Sequence, residues 1–260
     1  MELNNSNGNK EQIAAKESSN RQRRWALSLT SPDKAFLNAL THQKIMTVRQ
    51  AKALVWKDYH LTYVYKRILQ MRKEGLLQEL RTGSLDNQKI FFLTRKGLAL
   101  LGQYGSSSGL SLPEVNLREL SHDLLVTDIR IKFHEMGLSD WISERSFTQE
   151  RQGKGIPDGA FLVPTKGVIG IELELSQKRR TLYYHHFRHL FDSTLKGDPD
   201  LCFYFVRSSS LKKLIEKEAK EFGGLYVGYL DEFLEKGYGV TLTRGEFSFP
   251  LEKLRGYVEA

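Results

Sequence analysis

The sequence predicts a mixed α/β protein, α+β overall, in two parts: a small helical domain closed by a β-hairpin, then a three-layer α/β domain on a mixed sheet. Two observations predict this. Apolar residues recur every three to four positions from Ser31 to Met71 and then alternate in two short runs, Leu76 to Arg81 and Lys89 to Thr94. Beyond a Gly/Ser-rich stretch, strand-like runs alternate with amphipathic helices as far as Phe249. A third observation separates the parts: net charge is +10 through Leu110 and −2 beyond it.

In the first domain, Ser31 or Asp33 starts a helix carrying Phe36, Leu37 and Leu40. Thr47 caps a second helix, Val48 to Trp56. A third follows the turn Asp58-Tyr59-His60, with Val64, Ile68 and Met71 on its buried stripe and Gly75 ending it. The two strands enclose a polar tip, Thr82 to Asn87, and Arg95 to Leu101 returns to helix. Three helices, a hairpin and a closing helix make a winged helix-turn-helix, expected over 25–104. Residues 1–24 are nearly devoid of apolar side chains and are expected to be a disordered tail, whose end Arg21-Gln22-Arg23-Arg24 either follows phosphates or merely solubilises. A linker is expected at 105–113 and the second domain over 114–260.

Composition narrows the function classes. Hydrophobic residues are 40% and charged residues 27%, so both domains can bury a core. The single cysteine, Cys202, excludes a disulfide framework and a cysteine-rich zinc site, and points to the reducing cytoplasm. There is neither an 18-residue apolar span nor a signal-peptide core, so no membrane partner is expected. A basic front half on a winged helix points to double-stranded DNA. With Val64, Ile68 and Met71 inward, Thr62, Tyr63, Lys66, Arg67 and Gln70 face out. Arg67 and Gln70 suit base edges, Lys66 and Tyr63 phosphates, while Arg81 and Lys89 flank the wing tip. The alternative is a winged helix used for protein contacts.

In the second domain an amphipathic helix is expected from Glu114 to Glu135, then a strand over Trp141 to Phe147 and a loop from Gln149 to Ile156. Two strands follow, Ala160 to Val163 and Val168 to Leu175, turning at Pro164 to Gly167. On the second, Glu172, Glu174 and Ser176 share one face. With Asp158 beginning the adjacent strand, three carboxylates can converge, and a cation must then neutralise them. Oxygen-only ligands favour Mg²⁺ or Mn²⁺, and such a site suits phosphodiester hydrolysis. On the long helix, Glu119, His122 and Asp128 are candidates to complete or orient it, with an ordinary satisfied histidine as the alternative for His122. Tyr183-Tyr184-His185-His186 invites a tyrosine nucleophile, but adjacent helical histidines point about 100° apart. A helix from Arg180 to Leu195, packing Leu182, Phe187, Leu190 and Phe191 on the sheet and offering His186 to phosphates, is the favoured reading. Leu201 to Val206 reads as a buried strand, Leu211 to Phe222 as a helix, and Leu225 to Leu230, Val240 to Thr243 and Glu246 to Phe249 as strands.

The segments Lys73-Glu74-Gly75-Leu76-Leu77 and Phe91-Phe92-Leu93-Thr94-Arg95-Lys96-Gly97 resemble the turn and wing exit of bacterial winged-helix regulators. The order helix, strand, Pro-Asp, hairpin, Glu-x-Glu, helix resembles the PD-(D/E)xK superfamily, which implies a restriction-endonuclease type of domain with its motif on Asp158, Glu172 and Glu174. Glu174 stands where lysine is usual, and Lys178 is the candidate for the missing amine. The winged helix together with Leu120-Ser121-His122-Asp123-Leu124 and Glu172-Leu173-Glu174-Leu175-Ser176 resembles the replication-relaxation family, within it the MobC-type relaxases. That resemblance implies a metal-dependent nickase acting at an origin of transfer, with accessory mobilisation or coupling proteins as partners and a homodimer as a further expectation. The alternative is a non-catalytic replication or transcription regulator that keeps the nuclease-like fold for contacts.

Overall fold

The structure is a computed structural model that describes residues 28–81, 83, 88–104, 111–151, 155–163, 167–191 and 200–258. The predicted tail, most of the wing tip and the Gly/Ser centre of the linker lie outside the described residues.

Helix α1 (Ser31–Gln43) begins at Thr30, whose hydroxyl and backbone N–H exchange hydrogen bonds with Asp33, a capping box with Pro32 in the first turn. Strand β1 (Ile45–Thr47) is three fully buried residues without alternation, which the sequence reading passed over. Thr47 caps α2 (Val48–Val55) as expected, with Gln50 as its reciprocal partner. α3 (Leu61–Lys73) buries Val64, Ile68 and Met71. It ends at Gly75, φ +74°, where Leu76 N–H donates to Met71 and Gly75 N–H to Arg72. β2 (Leu77–Arg81) and β3 (Lys89–Leu93) pair antiparallel, and β1 adds on the other side of β3. Thr94 caps α4 (Arg95–Gln103), in which a Cβ on Gly97 would lie 2.4 Å from the Leu76 carbonyl oxygen. The glycine of the wing exit is therefore required by close packing.

The second domain is a seven-stranded mixed sheet with helices on both faces. Its elements are α5 (Leu120–Glu135), β4 (Trp141–Ser143), α6 (Glu144–Arg151), β5 (Gly159–Val163), β6 (Gly167–Glu174), α7 (Arg180–Phe191), β7 (Leu201–Val206), α8 (Ser209–Glu218), β8 (Leu225–Tyr229), α9 (Leu230–Lys236), β9 (Thr241–Arg244), β10 (Phe247–Pro250) and α10 (Arg255–Val258). Strand order is β10-β9-β8-β7-β6-β5-β4; β6, β7 and β8 run parallel and their flanking neighbours antiparallel. Val126, Ile129 and Phe133 of α5 cover one face through Ile171, Leu173 and Phe205. Tyr183, Phe187 and Leu190 of α7 cover the other through Cys202, Tyr204 and Val206.

Three expectations are corrected. The strand expected over Trp141 to Phe147 stops at Ser143, and α6 replaces its second half and the first three residues of the expected loop. The long helix starts at Leu120, not Glu114. In α7 it is Tyr183, not Leu182, that turns inward; Leu182 is 53% exposed.

α5 is buried on two sides, because the winged helix lies against the flank away from the sheet. Ile45 and Ile90 pack on Leu120 and Leu124. Gln50 Nε2 donates to the Leu124 carbonyl (2.8 Å) and to Asp128 Oδ1 (2.7 Å). His42 Nδ1 lies 3.1 Å from Ser143 Oγ. Burial, with Arg130 and Arg145 nearby, depresses the His42 pKa to about 4.

This last value sets a pH dependence. The folded pKa lies below the unfolded value of 6.5, so between those values the unfolded chain takes up a proton that the folded chain refuses. Stability therefore falls as pH falls from 6.5 towards 4, by an amount on the order of 2–3 kcal/mol. Urea unfolding of the wild type and His42→Gln at pH 7.5 and 5 checks this, the expected outcome being a smaller acid loss in the variant.

Candidate nucleic-acid interface and carboxylate site

On the winged helix, Thr62, Tyr63, Lys66 and Gln70 are exposed along α3, as the helical spacing predicts. Tyr63 stacks on Tyr59 with ring centroids 4.9 Å apart, leaving both rings more than 40% exposed. Arg67 differs. Its Nε donates to Asp33 Oδ1 at 2.9 Å, and its Nη2 donates to Asp33 Oδ2 at 2.5 Å and to the Ser28 carbonyl at 2.6 Å. Asp33 is fully buried, so the guanidinium assigned to base edges is held as a strut between α1 and α3. Its Nη1 also donates to Gln70 Oε1. Arg81 pairs with Glu79, and Lys89 donates to the Tyr65 hydroxyl beside the ring. Between α2, α3 and the wing lies a cleft of about 470 Å³ lined by Thr47, Arg49, Thr62, Tyr65, Gln88 and Lys89. Arg49 is not singled out by any pattern in the sequence beyond its position in the first turn of the helix that Thr47 caps.

The carboxylates gather where β5 begins and β6 runs on past it. Gly159 pairs with Ile171, and continuing that register would set Pro157 opposite Leu173. Proline has no N–H to give. Side chains complete the ladder instead: Asp158 Oδ2 accepts the Leu173 N–H at 2.7 Å, and His122 Nε2, from α5, lies 3.1 Å from the Leu173 carbonyl. The same Nε2 is 3.3 Å from Asp158 Oδ2, and His122 Nδ1 is 3.8 Å from Asp123 Oδ1. Glycine follows Asp158 because a Cβ at Gly159 would strike the Trp141 ring.

Glu172 and Glu174 share the α7 face of β6, as the alternation predicts, and both are buried. Glu172 Oε1 accepts from His186 Nε2 at 2.9 Å, and Glu174 Oε2 lies 2.7 Å from Lys178 Nζ. Tyr183 holds the turn carrying Lys178: its hydroxyl accepts the Lys178 N–H at 2.9 Å and donates to the Ser176 carbonyl. At 1% exposure it is a brace. The sequence offers His186 to phosphates; nothing local in it ties His186 to a glutamate fourteen residues earlier on a strand.

Charge is nearly balanced within the cluster. Burial raises the Glu172 pKa to about 7, with His186 opposing and the Asp158 charge adding to the rise. Burial also works against Asp158, but His122 and the Leu173 N–H hold its carboxyl below the usual range. Burial disfavours the His122 cation, yet Asp123 and Asp158 outweigh it and bring its pKa to about 11. Lys178 lies in the field of all three carboxylates. As a donor set, oxygen atoms carrying excess negative charge suit a hard divalent cation, and the Lys178 ammonium now supplies that neutralisation. Among the described residues, however, no group of three or more His, Cys, Asp or Glu is arranged as a metal cluster. No described helix is long and apolar enough to cross a membrane.

The family described as Replication-relaxation matches the chain over residues 37–185, from the first winged-helix helix into α7. No curated protein and no solved structure matches it.

The Arg67 strut has a measurable consequence. Arg67→Ala leaves Asp33 charged and buried, and is expected to lower stability by roughly 3 kcal/mol. Lys66→Ala is expected to leave stability within about 0.5 kcal/mol but to weaken duplex binding and reduce its salt slope by about 1. Denaturant melts and salt-dependent anisotropy on both variants separate the strut from the phosphate contact expected of Lys66.

Proposed function

This chain belongs to the replication-relaxation family, and from that premise we propose that it docks on duplex DNA through the winged helix and nicks one strand at the carboxylate site, in the manner of the MobC-type relaxases. The observation that carries the reading is the clustering of Asp158, Glu172, Glu174 and Lys178 around the end of β6. The order of α5, three antiparallel strands, α7 and a parallel strand supports a PD-(D/E)xK core, with Asp158 before its second strand and both glutamates on its third.

Asp158, Glu172 and Glu174 would hold Mg²⁺ or Mn²⁺, which when bound supplies Lewis-acid charge at the phosphate and activates water. The chain's own groups do the rest. His122 keeps Asp158 ionised. Lys178, 54% exposed, presents its amine on the open side of the site, where it can offset charge building on the phosphate oxygens. In hydrolysis the water oxygen bonds to phosphorus and the bond to the 3′ oxygen breaks. The leaving oxygen takes a proton, and no bond joins protein to DNA. Duplex DNA is the partner on this reading, with an accessory mobilisation or coupling protein alongside it.

One observation favours a second reading, a non-catalytic replication or transcription regulator: each carboxylate already has its own cationic neighbour. Supercoiled plasmid carrying the native element, incubated with Mn²⁺, Mg²⁺ or chelator, distinguishes them. A nickase converts it to open circle only with metal, and Asp158→Ala abolishes the conversion. Tight binding without nicking under every metal supports the regulator. Nicking by Asp158→Ala would overturn the site assignment.

A further inference from the structure

Two features of the domain junction go beyond what folding requires. The first is Lys44, between α1 and β1, with φ +65° and ψ −54°. Among the described residues it is the one non-glycine with positive φ. This backbone region is strained for an L-residue, and persists where the surroundings impose it. Glycine would sit there without a Cβ penalty, so the residue type is explained by its ammonium. Nζ lies 3.0 Å from Glu144 Oε2 and 3.5 Å from Asp123 Oδ1. The Glu144 side chain is 44% exposed and that of Asp123 only 8%, so the contact with Asp123 is the one shielded from water.

The second feature is Asp123 itself. Its Oδ2 is buried and has no hydrogen-bond partner among the described residues, an unfavourable state for a carboxylate. It borders a cavity of about 20 Å³ whose lining includes Lys44, His122, Asp123, Glu144 and Asp158. That is room for about one water molecule. A residue needed only for packing would not keep a carboxylate half-satisfied. A residue whose other oxygen faces an imidazole has a reason to stay.

We propose that Lys44 is a positioning residue of the carboxylate site: from the winged helix it holds Asp123, Asp123 orients the His122 ring, and His122 fixes Asp158. Four charges alternate along this line, Lys44 and His122 positive, Asp123 and Asp158 negative. The line crosses from the DNA-docking domain to the sheet domain within a few contacts. His122 has no freedom to turn, since its Nε2 is committed to Leu173 and Asp158 while Asp123 faces its Nδ1. Loss of the Lys44 charge leaves Asp123 buried without its cation, and the His122 Nδ1 then faces a carboxylate that nothing from the winged helix holds.

The activity arm of the test rests on the nickase reading; the spectroscopic arm does not. Full-length wild type, Lys44→Gly and Lys44→Arg are compared by thermal stability, duplex affinity and the ring ¹⁵N resonances of His122, assigned with His122→Gln. The glycine variant sets relief of backbone strain against the loss of Asp123's cation, and is expected to fold and to bind DNA within about twofold of wild type. Its His122 resonances shift, and kcat for nicking with Mn²⁺ falls about tenfold or more at unchanged KM. Lys44→Arg restores both. Asp123→Asn provides the same readout if the glycine variant does not fold. Unshifted His122 resonances in the charge-deleting variant overturn the proposal, as does an unchanged kcat in a protein that nicks. A shifted ring in a protein whose wild type never nicks supports the positioning role and rejects the nickase reading.

Discussion

A helix buried on both flanks has no water to satisfy its polar side chains, and α5 is such a helix. Asp123 and Thr127 are buried along it, and Asp128 lies beside them. Most polar groups there find their partners in protein. The winged helix supplies several of them. Gln50 closes the cap of α2 through its carbonyl oxygen and reaches Leu124 and Asp128 through its amide. Gln43 meets Thr127, and Lys44 meets Asp123. The two domains are thus joined by hydrogen bonds of fixed direction as well as by the Ile45, Ile90, Leu120 and Leu124 contact. Apolar packing alone would tolerate sliding; these bonds do not.

The same helix places the chemistry. His122 is one position before Asp123, so the polar flank that faces the winged helix continues into the flank that meets β6. At that point Pro157 has withdrawn a backbone donor, and Asp158 and His122 together take the place of a strand partner for Leu173. An ionised carboxylate is stable there because a backbone N–H and an imidazolium both address it. Glu172, deeper under α7 and close to the Asp158 charge, is the group on which the unbalanced negative charge falls.

Much of this was legible in the residues. The Thr47 cap, the stripe Val64, Ile68 and Met71, and the glycine ending α3 are local signals, and each element stands where they put it, while the cap of α1 falls on Thr30, just before the predicted start at Ser31 or Asp33. Alternation along 168–175 set both glutamates on one face, and the Pro-Asp pair marked the start of the adjacent strand. Signals without local periodicity did not survive translation. β1 is a three-residue apolar run, and the expected strand after Trp141 gave way to α6. The direction of Tyr183 and Leu182 was decided by which side of α7 meets the sheet.

By itself the sequence determined the order of most elements, the winged helix, the mixed sheet and the acidic face of β6, because periodicity, caps and turn residues act within a few positions of one another. Only the tertiary structure decided which charges meet. Arg67 finds Asp33 from 34 residues away, and His186 finds Glu172 across the gap between strand and helix. Lys44 reaches Asp123 from another domain. Ion pairing at such separations depends on distance in space and on burial, and neither is encoded in local spacing.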